Sequence, residues 1–144
     1  MTRRSLIQRA CVVLGLIALG ACLFYIGKGH TLLIDTNAVT IDDAELRSWA
    51  SATVSVDGKK LNSSMGRAER VMVDVSGPKH TIVIVNDADT DKKVEKTFRI
   101  PTFMDMAVVS VPAILGGAPA EHWVTPFTPP PAADTPVEKM QYSR

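Results

Sequence analysis

The sequence predicts an all-β outer domain, a small antiparallel β-sandwich or barrel, preceded by one N-terminal transmembrane helix. Three observations carry this prediction. The first is a long uncharged apolar run near the N-terminus, the second is a period-two alternation of apolar and polar residues from Ala52 onward, and the third is turn chemistry between the alternating runs. No long amphipathic helical pattern follows the first run, so the remainder of the 144-residue chain fits one small strand domain.

The apolar run extends from Ala10 to Gly27 and contains no charged residue. Eighteen helical residues rise about 27 Å, close to the roughly 30 Å of hydrocarbon in a bilayer. Arg3, Arg4 and Arg9 all precede the run, and positive flanks stay in the cytoplasm. The predicted segments are a cytoplasmic basic flank (1–9), a signal anchor spanning a bacterial inner membrane (10–27), a periplasmic domain (28–125) and a Pro-rich disordered tail (126–144).

Two other fates of the apolar run stay open. Leu19-Gly20-Ala21-Cys22 resembles a lipobox, in which Cys22 would be acylated and become the new N-terminus. Ordinary cleavage at a small-residue site near 18–21 would remove most of the run. The run continues past Cys22 to Tyr25 and Ile26, where lipoproteins usually turn polar, and this favours an uncleaved anchor. All three fates place the same domain outside the cytoplasm.

Charge and cysteine content exclude several classes of partner and site. The chain has 16 basic and 15 acidic residues, and without the three N-terminal arginines the outer part has 13 and 15. Such a nearly neutral domain lacks the clustered Lys and Arg that nucleic-acid binding needs. Both cysteines, Cys11 and Cys22, lie in the apolar run. The outer domain is therefore predicted to fold without disulfides or cysteine-bound metal.

The outer domain is predicted to contain six strands, separated by turn signals such as Asp57-Gly58 and Gly77-Pro78. Residues 42–50 begin with two acidic residues and carry Leu46 and Trp49 three apart, which predicts one or two helical turns. The predicted strands are 31–35, 53–56, 70–75, 80–85, 94–100 and 106–111. The predicted core positions are Val54, Val56, Val71, Val73, Ile82, Ile84 and Phe98.

Several of these features together resemble a family of small single-span bacterial envelope proteins of unknown function. They are the Arg-flanked span, Gly27-Lys28-Gly29-His30 directly after it, Val56-Asp57-Gly58, Gly77 with His80, and Pro112 after an apolar run. Residues 54–85 also resemble PEGA-type surface β-domains, although Pro78-Lys79 rather than one residue separates Gly77 from His80. The resemblance implies a fold and a location, and it implies no activity and no site residues.

Two motifs partly match catalytic or metal sites. Ser76-Gly77-Pro78-Lys79 matches S-x-x-K, but Gly-Pro breaks the helix that this nucleophile motif needs, so a turn is predicted. The loop Asp87–Asp91 has carboxylates at positions 1, 3 and 5 of a calcium loop. Lys92 and Phe98 stand where that loop needs Gly and Glu, so a solvated hairpin loop is the expectation.

The three histidines are the only nitrogen ligands in the chain that suit zinc. If their strands were neighbours, His30 and His80 would approach each other and an Asp could be a third ligand. The alternative assigns both to the hydrogen bonding of strand starts, and no catalytic residue, cofactor or metal is predicted. The sequence around His122 indicates no role for this residue.

The predicted function is a membrane-anchored binding, assembly or accessory subunit of a cell-envelope complex, without catalysis, whose partners are the inner membrane and an envelope protein of unknown identity. The alternative is a metal- or ligand-dependent sensor or hydrolase that uses His30, His80 and the Asp87–Asp91 loop. The most apolar stretch of the outer domain is 107–115, which reads either as a core strand or as a contact edge. The possible partner-contact residues are Phe103, Val109, Val111, Ile114, Leu115 and Trp123.

Overall fold

A computed structural model describes residues 3–61 and 64–129 of the chain. Helix α1 (Arg3–Gly27) contains the predicted span and extends it through the basic flank. None of its residues is buried against the rest of the protein. In the described part of the chain, α1 is the one helix long and apolar enough to cross a membrane, and an N-terminal signal sequence has the same character. The predicted tail lies mostly outside the described residues.

The rest of the described chain is mostly strand, with two short helices. All six predicted strands are present, each within two residues of its predicted start and end. In chain order the elements are β1 (Gly29–Asp35), β2 (Val39–Ile41), β3 (Ala44–Leu46), β4 (Ser51–Val56), β5 (Lys59–Lys60), β6 (Met65–Gly66), β7 (Arg70–Ser76), β8 (Lys79–Asn86), β9 (Lys93–Arg99), β10 (Met106–Ser110), α2 (Val111–Leu115), α3 (Ala120–Trp123) and β11 (Val124–Pro126).

The strands form two larger sheets and one hairpin. The first sheet has the order β11-β10-β1-β7, the second has the order β5-β4-β8-β9 with β6 also pairing with β4, and β2 pairs with β3. The prediction of an antiparallel fold is wrong at one place, because β1 and β10 are parallel. Parallel neighbours need a long crossover. Here the whole second sheet lies between these two strands in the sequence.

One core lies between the two sheets. Residues of β4 alternate between buried and half-buried positions, as the period-two pattern predicts for a sheet with one inner face. Leu32 and Ile34 of the first sheet join the same buried cluster as residues of the second. Five predicted core residues are confirmed as buried, whereas Val71 and Val73 are half-buried at its margin; the five are Val54, Val56, Ile82, Ile84 and Phe98.

The predicted helical turns at 42–50 are wrong, because this segment contains the β2–β3 hairpin. Asp42 and Asp43 form its two-residue loop, with φ of 50° and 61°. A tight hairpin of this kind needs positive φ at both loop positions, and aspartate tolerates that conformation better than most residues. The turn chemistry of the two aspartates therefore outweighs the short helical spacing of Leu46 and Trp49.

The domain begins almost where α1 ends. Only Lys28 stands between α1 and β1, and its amide donates to the Phe24 carbonyl at 3.0 Å, which continues the helical hydrogen bonding. The Lys28 carbonyl in turn accepts from the Gly77 amide at 3.0 Å. The turn between β7 and β8 is thereby bonded to the residue that follows the helix.

Candidate functional site

The most specific polar arrangement in the domain surrounds His80, which is 1% exposed. Its Nδ1 lies 2.7 Å from Asp57 Oδ2, and its Nε2 lies 2.8 Å from the Gly77 carbonyl oxygen. Carbonyl and carboxylate oxygens accept hydrogen bonds, so each ring nitrogen of His80 faces an acceptor oxygen. Asp57 also accepts from the Thr81 amide at 2.9 Å. The β4–β5 turn and the β7–β8 turn are thus joined through one imidazole.

His30 lies beside His80, as the metal hypothesis anticipated. The two ring centroids are 6.4 Å apart with an interplanar angle of 75°. His30 Nδ1 donates to the Met104 carbonyl at 2.6 Å. The ring centroids of His80 and Phe98 are 5.8 Å apart, and those of Phe98 and Trp123 are 5.4 Å apart. These four rings (His30, His80, Phe98 and Trp123) form an aromatic cluster within the core.

The cluster geometry favours packing over metal binding. Both His80 nitrogens and one His30 nitrogen already face protein acceptors. Within residues 3–61 and 64–129, no group of three His, Cys, Asp or Glu side chains is placed to hold a metal ion. His122 lies apart on the surface, with Nε2 3.8 Å from Glu121 Oε1. The sequence assignment of His30 and His80 to strand starts is correct in position, but it missed their contact with the core rings.

The Asp87–Asp91 loop connects β8 and β9 and is bonded to the neighbouring strand β4. Hydrogen bonds from the hydroxyls of Ser51, Thr53 and Ser64 hold the pKa of Asp87 below its usual range. A lowered pKa means that the carboxylate stabilises the fold above its ordinary titration range, and that this stabilisation is lost as the pH falls through the lowered value. Asp89 pairs with Lys92 at 3.5 Å, within the same loop.

Ser76 and Lys79 of the S-x-x-K match lie on opposite sides of a turn. Ser76 ends β7 and Lys79 begins β8. Gly77, between them, has a φ of 98°, which favours glycine. The prediction of a turn is confirmed, and the two side chains do not share a helix face.

The predicted partner-contact residues require a correction. Four of the six are core residues, and a side chain with almost no exposed surface has none to offer a partner; they are Val109, Val111, Ile114 and Trp123. Leu115 is half-buried and packs against the same core. Phe103, in contrast, is 95% exposed. The apolar stretch 107–115 is therefore mainly core, because β10 is an inner strand of its sheet and three residues of α2 are buried in the same core.

An apolar row on the outside of the first sheet was missed. Leu33 pairs with Met72 on one side and with Val108 on the other, so these three residues (the outer row) lie across neighbouring strands. Successive strand residues point to opposite faces, so the row faces away from Leu32 and Ile34 of the core. Leu33 is only 5% exposed and Val108 is half-buried, so Met72, at 64% exposed, provides the open apolar surface of the row. In β7, Met72 occupies one of the alternate positions otherwise held by polar residues, and this could have been read from the sequence.

Comparison with known proteins identifies one family. The model of DUF6672, a family of unknown function, matches residues 1–143. The chain belongs to this family. Membership in DUF6672 agrees with the resemblance to an uncharacterised family, whereas the resemblance to PEGA-type domains is not shown. No curated protein and no solved structure matches the chain significantly.

Proposed function

We propose that this DUF6672 protein is a membrane-anchored contact protein of a bacterial cell envelope, whose small β-sandwich serves as a non-enzymatic binding, assembly or accessory subunit. The observation that carries the proposal is α1, a 25-residue apolar helix with no buried residue, joined to the strand domain by Lys28 alone. An apolar helix that packs against no other part of the protein is stable in lipid, because a helix satisfies its backbone hydrogen bonds internally.

The orientation follows from charge. Arg3, Arg4 and Arg9 lie at the start of α1, and the helix has no basic residue in its last turn. Positive flanks remain on the cytoplasmic side, so the strand domain is proposed to lie on the periplasmic face of the inner membrane. Acylation at Cys22 would replace the helix by a lipid and leave the domain in the same compartment.

Contact rather than catalysis is supported by how the polar groups are used. The histidines are hydrogen-bonded inside the core, and the Asp87 carboxylate is bonded to neighbouring hydroxyls. In the outer row, Met72 is exposed beside half-buried Val108, and exposed apolar surface is typical of protein contact sites. We therefore propose the outer row as the surface that binds the envelope partner.

The proposed topology predicts the behaviour of compartment-specific reporters. A reporter active only in the periplasm, fused after Tyr142, should be active, and a reporter active only in the cytoplasm should be silent at the same position. Fusions before Arg3 should give the reverse pattern. Cytoplasmic activity of the fusion after Tyr142 would contradict the proposed orientation.

The proposed contact predicts site-specific cross-linking in the cells that produce the protein. A photo-reactive residue at Met72 should yield one discrete adduct with a membrane or envelope protein, because this side chain is exposed within the outer row. The same residue at Lys92, exposed in the β8–β9 loop, is the control and should not yield that adduct. No adduct at Met72, or equal adducts at both positions, would argue against the outer row.

A further inference from the structure

The surface of the domain next to α1 is built from three segments. The first is the start of β1, and the second is the β7–β8 turn, whose Gly77 amide donates to the Lys28 carbonyl. The third is the loop 100–105 between β9 and β10. In it, the Asp105 carbonyl accepts from the Thr31 amide at 2.9 Å, and the Asp105 carboxylate lies 3.1 Å from Lys28 Nζ. The loop is thus held beside the point where α1 leaves the domain.

Phe103 lies on this loop and is 95% exposed. The next residue, Met104, accepts the His30 hydrogen bond, so the loop is fixed on both the helix side and the core side. Outside α1, the described residues include only one other large apolar side chain that is exposed, Met72. An exposed phenyl ring on a loop held in place is costly in water. Phenylalanine is among the side chains that membrane-surface segments bury at the boundary of headgroups and acyl chains.

Basic side chains surround the same surface. Lys79 pairs with Arg99 across the β8–β9 ladder at the end nearest the β7–β8 turn, and both are exposed. The β4–β5 turn reaches this end too, because the Asp57 amide donates to the Thr81 carbonyl at 2.9 Å. Exposed Lys59 and Lys60 follow that turn.

Two acidic side chains at this end are already paired, and a third, Glu121, lies near Arg99. Asp57 is bonded to His80, and Asp105 is paired with Lys28. At the opposite end of the strands, the β8–β9 loop carries three aspartates. The end nearest α1 therefore has a surplus of positive charge; we call it the proximal surface, defined by Lys28, Lys59, Lys60, Lys79, Arg99 and Phe103.

We propose that the proximal surface lies on the bilayer, with Phe103 inserted at the headgroup level and the basic residues on anionic phospholipid headgroups. The inference rests on the proposed anchoring of α1, and it adds a second membrane contact that fixes the orientation of the domain. Basic residues near an anionic membrane surface are attracted to it, and an aromatic anchor adds a contact that salt does not screen. The occupant of this surface is lipid, whereas Met72 of the outer row is left exposed to a protein partner.

Spin labels on the full-length protein in nanodiscs test the proposal. Cys11→Ala is common to all variants, and each carries one label: at the native Cys22, or, with Cys22→Ala, at Phe103→Cys or Met72→Cys. In discs containing phosphatidylglycerol, the labels at 22 and 103 should be relaxed more by lipid-soluble oxygen than by an aqueous nickel complex. The label at 72, the matched exposed control, should show the opposite ratio. A label at 103 as accessible to nickel as the label at 72 would overturn the proposal while leaving the anchor intact. An aqueous label at 22 would overturn the anchor and this inference together.

Lipid charge tests the basic part of the proposal. The oxygen-to-nickel ratio at 103 should be severalfold higher in phosphatidylglycerol discs than in phosphatidylcholine discs. Lys79→Glu combined with Arg99→Glu should remove this difference, whereas Lys92→Glu combined with Lys93→Glu, at the far end of the same hairpin, should keep it. Equal oxygen-to-nickel ratios in the two lipids, for the labelled protein without Lys or Arg substitutions, would overturn the selectivity for anionic headgroups.

Discussion

Val109→Asp should abolish the cooperative folding of the outer domain. Val109 is 0% exposed and lies in an inner strand between β1 and β11. A carboxylate there would lose its hydration without gaining a partner, which costs about 4 kcal/mol or more and is a large part of the stability of a small domain. The near-ultraviolet circular dichroism and the fluorescence of buried Trp123 should lose their native character in the detergent-solubilised protein.

The adjacent residue provides the matched control. Val108 belongs to the outer row and is half-buried on the opposite face of the same strand. Val108→Asp should therefore destabilise the domain by about 1 kcal/mol or less and keep the native spectrum. If both variants melted like the unmutated protein, the assignment of Val109 to the core would be wrong, and the contact interpretation of the 107–115 stretch would regain its basis.

His80→Ala should lower the free energy of unfolding by about 3 kcal/mol or more. The substitution removes a buried ring from the aromatic cluster and leaves a cavity against Phe98. It also removes both hydrogen bonds that join the β4–β5 turn to the β7–β8 turn, through Asp57 and Gly77. Denaturant unfolding of the full-length protein in micelles measures the loss.

Two variants separate the causes. His122→Ala, at a histidine exposed on the surface, should change the free energy of unfolding by about 0.5 kcal/mol or less. His80→Phe keeps an aromatic ring but removes the ring nitrogens. Its free energy of unfolding should therefore lie between that of the unmutated protein and that of His80→Ala. An unchanged stability of His80→Ala together with zinc in the purified unmutated protein would favour a metal-binding role for His30 and His80.

The strand pattern was predictable because it is local. In β4 the apolar residues alternate with polar ones, so its inner face could be assigned without knowing which strand lies beside which. The Asp57-Gly58 turn was equally local, since glycine and aspartate favour the positive φ that both residues adopt. Where two local signals competed, at 42–50, the turn preference of Asp42 and Asp43 prevailed over a helical spacing only one turn long.

The candidate sites were much less predictable because they depend on distant pairing. His30 and His80 are 50 positions apart, and their strands belong to different sheets, so only the packing of the two sheets brings the rings together. The apolar character of 107–115 was equally compatible with core and with surface contact. Its burial depends on β10 pairing with both β1 and β11, which no feature of that stretch specifies.

The sequence by itself determined the apolar helix with its one-sided arginines, the six main strands and the two glycine turns, because each depends on residues that are neighbours in the chain. Only the tertiary structure decided that β1 and β10 are parallel, that His80 is bonded inside the core, and that Phe103 is exposed beside the end of α1. These features arise from contacts between segments 20 to 80 residues apart, whose geometry is set by the packing of two sheets around one core rather than by any local preference.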